Sequence, residues 1–565
     1  MQLYRKNILA ERSYYLEDIF DMNYLDWLII IFYTVGLLFL SYRLGKTQFN
    51  KRDYYLGGNR IHWLPVSIST MATQLSTNSL LGAPAFVAFS LGGGLLWLQY
   101  ELAVPLAMIF IMIFLVPFFK KTGVISIYEF LELRLGVGSR TLLSILFQFI
   151  VAFGTGVTIY GISLVLQTVL GIPFWTAVLL LGVVTVIYDT LAGIKGVIVS
   201  DVIQMIILVI GIFIVSYYAV NLSGGIINVF NTFPAERLKT LNFTGHGLGD
   251  NATFSFLPML FGGFFLYVSY YGCNQTQVQR QLATRDINDS KKALFANGVL
   301  RFPVVLGYMF LGITISAYAV TNADFLGLLP TREVLINGAI EHVPNYNTAV
   351  PAFVLHYLPH GIIGLIIVAL FSAAMSSLDS TLNSLSATTV QDVIGKFSKK
   401  KNRTVREELI LSKLVTLFWG IVIVTFSFFV GGISDSIIVS INKIGSLANG
   451  SILGAFILAI FTRRANDRGT VVGVLSGFIV NLLLWKFAPS ISWLWWNVIG
   501  CLITVGVGYV ISLIFKTKTV KNIDHYTWNK TTRDEYSFSH RQWRIRYIIL
   551  IVYFLFMLLI MSLIK

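Results

Sequence analysis

A column of oxygen-bearing side chains lies inside an otherwise apolar stretch near residue 380. The segment Phe371–Asp392 reads FSAAMSSLDSTLNSLSATTVQD, and the residues around it predict a membrane-spanning helix. At 3.6 residues per turn, several of its polar side chains share one helical face. They are Ser372, Ser376, Asp379, Ser380 and Asn383, with Ala373 beside them. Hydroxyl, amide and carboxylate oxygens around one acid are the ligands that a small hard cation requires.

The same column has a purely structural interpretation. A face rich in serine lets two helices pack closely in a membrane, because the small side chains allow the backbones to approach. Asp379 favours a functional interpretation, since a carboxylate at membrane depth is costly and usually serves a function.

Composition sets the class of protein. The chain has 565 residues, of which 56% are hydrophobic and only 12% charged, and its mean hydropathy is +0.74. This is far more apolar surface than a soluble domain can bury, so the sequence predicts a polytopic protein in a lipid bilayer and excludes most enzymes. The net charge of +15 is typical of basic cytoplasmic loops, so we expect no nucleic-acid partner.

Apolar runs of membrane-spanning length recur along the chain. Their lengths of roughly 17–25 residues predict about fourteen transmembrane helices. The runs lie near 24–42, 64–88, 95–119, 142–169, 174–192, 198–220, 254–273, 294–317, 361–389, 412–430, 436–461, 471–487, 493–515 and 547–564. Lysine and arginine are concentrated in every other loop, which predicts that both termini face outside.

Two of these spans are interrupted by uncharged polar residues. The second, Ser67–Phe86, includes Ser76 and Thr77 at its centre, and the seventh is Leu266–Arg280. Irregular backbone at membrane depth survives only where it lines a cavity or packs within protein. Because the two breaks are five spans apart, their segments run in opposite directions, as in the inverted repeats of transporters with a midplane site. The alternative is two polar helices that only pack together.

This spacing divides the chain into two repeats and peripheral parts. The expected divisions are an N-terminal segment with a peripheral helix (1–62), a first inverted repeat (63–220), an outer loop (221–253), a second inverted repeat (254–465) and C-terminal peripheral helices (466–565).

Five local strings resemble the sodium:solute symporter family, which includes sodium-coupled carriers of glucose, proline, sialic acid, iodide and monocarboxylates. They occur in family order between about residues 50 and 460. The strings are RDYYLGGN (Arg52–Asn59), ISIYEFLELRLG (Ile125–Gly136), LAGIKGVIVSDVIQ (Leu191–Gln204), GCNQTQVQRQLA (Gly272–Ala283) and SSLDSTLNS (Ser376–Ser384). The resemblance implies an all-α, LeuT-type fold of five plus five inverted helices, with sodium-driven uptake by alternating access.

The resemblance also implies a sodium site between the first broken helix and the polar column. The matching residues are Ala72, Leu75 and Ala373 through their carbonyls, and Ser376 and Ser377 through their hydroxyls. An unwound helix frees carbonyl oxygens, and hydroxyls complete an oxygen cage for a monovalent cation. Na⁺ is then the coupling ion, and no other cofactor is expected.

Some family members carry a second sodium site, one turn further along the column. The matching residues are Asp201, Ser376, Asp379 and Ser380. This chain departs from the hydroxyl pattern at Asp379, which would strengthen Na⁺ binding, hold a proton or pair with a cation. The alternative for Asp201 is a carboxylate stabilised by a helix N-terminus.

Amide and hydroxyl groups at the two breaks are suited to a small polar solute. They are Gln74, Ser79, Asn274 and Gln275. Glu101, with Tyr100 before it, resembles a Tyr-Glu pair near the substrate of sugar carriers. Arg301 lies where those carriers have a substrate-facing lysine, and its guanidinium suits a carboxylate or paired hydroxyls. The alternative is a structural arginine that snorkels to the interface or pairs with an acid of the bundle.

The hints about the solute point in two directions. Glu101 and Arg301 favour a sugar, whereas the string GAPAF (Gly82–Phe86) resembles the branch that carries iodide and monocarboxylates. We therefore predict a Na⁺-coupled secondary active symporter that imports a sugar or an organic anion such as a monocarboxylate or sialic acid. An iodide-like symporter, a solute sensor on the same fold and a channel are the alternatives. We expect a multi-pass protein of a cell membrane, with a bacterial inner membrane favoured, and the sequence does not indicate an oligomeric state.

Overall fold

The computed structural model describes residues 22–75, 78–336, 339–398, 402–429, 437–515 and 523–564. Ser76 and Thr77, which belong to the first predicted break, lie outside the described residues. Nearly all of the described chain is helical.

The helices of the first half run from the peripheral N-terminal helix to the end of the outer loop. They are α1 (Tyr24–Gly45), α2 (Lys51–Leu56), α3 (Trp63–Gln74), α4 (Ala83–Ala88), α5 (Leu98–Glu101), α6 (Ala103–Phe114), α7 (Val116–Thr122), α8 (Ile127–Arg134), α9 (Val137–Leu170), α10 (Phe174–Leu222), α11 (Ile226–Thr232) and α12 (Ala235–Leu238).

The second half adds further helices and one small antiparallel hairpin. They are α13 (Gly263–Cys273), α14 (Gln275–Ala283), α15 (Ile287–Thr321), α16 (Asp324–Gly327), β1 (Thr331–Ile336), β2 (Ala339–Pro344), α17 (Ala349–Tyr357), α18 (Ile362–Thr388), α19 (Gly395–Phe397), α20 (Val405–Ser427), α21 (Ile437–Phe461), α22 (Asp467–Phe487), α23 (Trp493–Ile514) and α24 (Lys530–Leu563). In the hairpin, Thr331 lies opposite Pro344.

Eleven helices in the described residues are long and apolar enough to cross a membrane. The predicted count of fourteen is therefore not confirmed. Two of the three missing spans are the interrupted ones, because each of their helical pieces is too short to count as a membrane-spanning helix. The third comes from α10, whose 49 residues are two helices joined at a kink where Gly193 has non-helical angles (φ 53°, ψ −156°). At 1.5 Å per residue, a straight helix of that length would be more than twice as long as the hydrocarbon core is thick.

Both interruptions lie where the sequence places them. Helix α3 ends at Gln74, and the next residue, Leu75, leaves the helical region with φ −80° and ψ 65°. Helices α13 and α14 are separated by Asn274, which is extended (φ −99°, ψ 123°) and accepts the N–H of Thr276 at 2.9 Å. An asparagine in this position starts a new helix because its side chain satisfies a donor that has no intrahelical partner.

A buried acid from the first helix fixes the start of α18. The carboxylate of Asp26 accepts the backbone N–H groups of Gly361 and Gly364, each at 2.7 Å. These donors have no carbonyl partner within the helix, and the helix dipole favours a negative charge at this end. Asp26 is fully buried, so this contact ties α1 to the helix that carries the polar column.

Helix α18 is central to the bundle. It packs against α1, α3, α9, α10, α14 and α20. Most of its residues are buried, including the polar ones from Ser372 to Asn383 except Ser377, which is half-buried. The polar column therefore faces protein rather than lipid, as expected for polar groups at membrane depth.

Candidate sodium and solute sites

The predicted sodium site lies where the end of α3 meets α18. The hydroxyl of Ser376 lies 3.3 Å from the carbonyl oxygens of both Ala72 and Ala373. The hydroxyl of Ser377 lies 3.5 Å from the carbonyl oxygen of Thr73. Leu75 is the last described residue before the break. The structure thus gathers carbonyl and hydroxyl oxygens from two helices at one point, which is the donor set that a hard monovalent cation uses.

The second candidate site contains an arginine side chain. Arg280 on α14 places Nη2 3.1 Å from Asp201 Oδ2 and donates from Nε to the hydroxyl of Ser69 at 2.6 Å. Its Nη2 also contacts the hydroxyl of Ser380. The guanidinium therefore lies between Asp201 and Ser380, two of the four predicted ligands. A cation could bind both of these residues at once only after Arg280 had moved.

Asp379 has its own set of donors. Its Oδ2 accepts the hydroxyl groups of Tyr188 at 2.6 Å and Ser200 at 3.3 Å, and its Oδ1 accepts that of Ser380 at 3.1 Å. The hydroxyl of Ser380 also lies 2.6 Å from the carbonyl oxygen of Ser376, a predicted ligand of the first site. Since the hydroxyls of Ser200 and Ser380 each lie closer to a backbone carbonyl oxygen, Tyr188 is the main donor to Asp379.

Sequence reasoning missed Asp189, a third buried acid of this region. It is fully buried, and neither of its carboxylate oxygens has a hydrogen-bonding partner within the described part of the chain. The available signal was its position as an isolated acid inside the apolar run at 174–192, where an ionisable residue is rare. The roles of Tyr188 and Ser69 were missed as well, because each contact joins helices that are distant in sequence.

A cavity of about 240 Å³ lies next to the predicted sodium site. Four of the six predicted solute-binding residues line it. They are Gln74, Ser79, Asn274 and Arg301. Thr73 and Ser377, which join α3 to α18, also line this cavity. The volume is below the range of about 300–1,000 Å³ typical of pockets for drug-sized ligands, so the cavity suits a small solute.

Glu101 and Arg301 form a closed ion pair at the wall of the cavity. Arg301 donates from Nε to Glu101 Oε2 at 2.5 Å and from Nη2 to Glu101 Oε1 at 3.0 Å. The hydroxyl of Tyr267 donates a hydrogen bond to the same Oε1 at 3.0 Å and accepts one from Arg301 Nη2 at 3.1 Å. This fork-like geometry is the strong form of an arginine–carboxylate pair. Arg301 is thus paired with an acid inside the bundle, as the structural alternative for this residue predicts.

Gln275 lies away from the cavity. Its amide accepts the N–H of Ile127 at 2.9 Å and donates to the carbonyl of Ile125 at 2.8 Å. It therefore fixes the chain at the start of α8 instead of facing the space between the two breaks.

Comparisons with known proteins bear on the family and the fold of this chain. The family model of the sodium:solute symporter family matches residues 54–477. The sodium/sialic acid symporter NanT of Aliivibrio fischeri is 31% identical over 504 residues, which cover 87% of this chain and 94% of that protein. The human sodium-coupled monocarboxylate transporter 1 is 28% identical, over 81% of this chain and 73% of that one.

A solved structure gives the same result for the fold. A Na⁺-coupled sialic acid symporter in a substrate-bound, outward-open state has a TM-score of 0.76 and 26% sequence identity, and the match covers 88% of this chain and 99% of that one. The fold is the LeuT-type arrangement of five plus five inverted helices that the sequence predicts. Since the family model spans most of the chain and the match to NanT is nearly full length, the protein belongs to the sodium:solute symporter family.

Proposed function

We propose that the protein is a Na⁺-coupled secondary active symporter that imports a small polar organic solute by alternating access. One observation carries this proposal. Ser377 and Thr73 join the end of α3 to α18 at the sodium site, and the same two residues line the cavity. An ion bound at this point would hold the two helices together and shape the wall that contacts the solute.

Coupling follows from this shared boundary. If Na⁺ and solute both bind better to the state in which α3 and α18 are joined, each raises the affinity for the other by the same factor. The Na⁺ gradient then drives the solute inward, because the carrier completes its cycle efficiently only when both sites are filled.

The proposal also assigns the two repeats, the sodium ligands and the membrane in which the protein lies. Residues 63–220 and 254–465 are the two inverted repeats. The sodium ligands are Ala72, Leu75, Ala373, Ser376 and Ser377. The contacts of the Ser376 hydroxyl with the carbonyls of Ala72 and Ala373 support this assignment. A second Na⁺ at Asp201, Ser376, Asp379 and Ser380 requires Arg280 to leave Asp201. The match to NanT of Aliivibrio fischeri supports a bacterial inner membrane for this multi-pass protein.

The solute belongs to one of two classes. The names of the relatives support an organic anion such as sialic acid or a monocarboxylate. Glu101 and Arg301 at the wall of the cavity keep a sugar as the second candidate.

Uptake into proteoliposomes tests the proposal. A panel of labelled sugars, sialic acid and monocarboxylates is offered with an inward Na⁺ gradient and, as control, with choline replacing Na⁺. We expect accumulation of at least one solute above its outside concentration only with Na⁺. If a solute binds but accumulates under neither condition, the protein is a solute sensor and the symporter proposal is wrong.

A further inference from the structure

The cavity presents no uncompensated charge to its solute. Among the described residues that line it, Arg301 is the only charged side chain. Both nitrogens that Arg301 directs at Glu101 are within 3.0 Å of a carboxylate oxygen, and the two side chains are 8% and 1% exposed. A guanidinium already neutralised by a buried acid has little attraction left for a second carboxylate.

The remaining polar groups of the cavity are amides and hydroxyls. Gln74, Asn274 and Asn449 contribute amides, and Ser79 contributes a hydroxyl. Such groups both donate and accept hydrogen bonds, which matches the hydroxyl groups of a solute. The rings of Tyr100, Tyr267 and other aromatic residues supply apolar surface between them.

The buried acids of this region lie outside the cavity. Asp189, Asp201 and Asp379 are fully buried near the polar column, and within the described residues Arg280 is the one cation paired with this group. Asp379 is linked through Ser380 to the carbonyl of Ser376 at the predicted sodium site. Among the described residues that line the cavity there is no acid, so these carboxylates do not set the charge that a solute meets there.

We propose that the transported solute is electrically neutral and hydroxylated, and that Glu101 sets this charge selectivity by neutralising Arg301. The inference rests on the proposed symport and narrows its solute class. Glu101 acts through Arg301 and is a positioning residue, while Arg301 presents its guanidinium to the cavity as a neutralised hydrogen-bond donor.

Matched pairs of solutes that differ mainly in charge test the inference. Proteoliposomes with an inward Na⁺ gradient, and with the membrane potential clamped at zero, are offered glucose against glucuronate and galactose against galacturonate. We expect the neutral member of a transported pair to enter on the order of tenfold faster or more, as a loss of about 1.4 kcal/mol for the anion implies. Faster entry of the anionic member would overturn the inference while symport stands. If no member of any pair enters but a monocarboxylate does so with Na⁺, symport stands and the inference is wrong. If no solute of either panel enters with Na⁺, the proposed function fails, and the inference with it.

Charge variants locate the selectivity. In Glu101→Gln the charge of Arg301 is uncovered, and we expect the ratio of neutral to anionic uptake to fall by about tenfold. In the double variant Glu101→Gln with Arg301→Gln both charges are absent, and the ratio is expected to return towards that of the wild type. The double variant keeps the test decisive if the single variant does not fold. An unchanged ratio in both variants would show that Glu101 does not set the selectivity.

Discussion

Ser377 stands at the meeting point of the proposed sodium and solute sites. Its hydroxyl lies 3.5 Å from the Thr73 carbonyl, and the residue also lines the cavity. We expect Ser377→Ala to raise the Na⁺ concentration for half-maximal uptake by about tenfold, because losing one oxygen ligand costs about 1–1.5 kcal/mol. Initial rates of uptake measured over a series of Na⁺ concentrations check this.

A second serine of α18 serves as the matched control. Ser386 is also buried, but its hydroxyl donates to the carbonyl of Ser412 at 2.8 Å, away from the sodium site. Ser386→Ala should leave the Na⁺ dependence unchanged. Equal Na⁺ dependence of the two variants would contradict the assignment of Ser377.

The pair of Arg280 and Asp201 is a further feature with a measurable effect. Both side chains are buried, at 1% and 0% exposure, so removing one partner leaves the other charge without compensation. We expect Arg280→Gln to destabilise the protein by about 3–5 kcal/mol. Adding Asp201→Asn should recover part of this loss. Thermal unfolding of the single and double variants in detergent measures the coupling energy between the two side chains. If the effects of the two substitutions simply add, the pair contributes no coupling energy.

At the scale of elements, α10 depends on the glycine at its kink. Gly193 has φ 53° and ψ −156°, and a Cβ there would lie 2.6 Å from the carbonyl oxygen of Tyr54. We expect Gly193→Ala to lower the free energy of unfolding by about 2–5 kcal/mol, the sum of backbone strain and overpacking. A thermal shift in detergent reports this change.

Gly36→Ala is the control for this substitution. Gly36 lies within α1, where a Cβ would meet no other atom within 4 Å. This change should be neutral or slightly stabilising, because alanine favours a helix over glycine. A similar loss of stability in both variants would contradict a special role for the kink.

The elements themselves were largely predictable, whereas their contacts were not. Hydropathy is a local property, so the runs around α1, α9 and α18 and both breaks could be located from the sequence alone. The pairing of Arg280 with Asp201 joins residues 79 positions apart, and no periodicity indicates such a contact. Gln275 shows the same difficulty. Its position beside the break predicted that it binds the solute, whereas its amide is hydrogen-bonded to the start of α8.

At the scale of the whole molecule, the balance of buried charges determines what one transport cycle carries. The pair of Glu101 and Arg301 adds no net charge at the cavity. If one Na⁺ accompanies the neutral solute inferred above, each cycle moves one positive charge inward. The carrier should then respond to the membrane potential as well as to the Na⁺ gradient.

We expect an inside-negative potential alone to drive uptake of the neutral solute. One charge in 100 mV corresponds to about 2.3 kcal/mol, which allows about 50-fold accumulation at equilibrium. The measurement uses proteoliposomes with equal Na⁺ on both sides. Valinomycin and a potassium gradient set an inside-negative potential of about −100 mV, the value for which the energy above is given. Vesicles with choline in place of Na⁺ are the control and should show no accumulation. If a Na⁺ gradient drives uptake but the potential does not, the solute carries a compensating negative charge and the inference of a neutral solute is wrong.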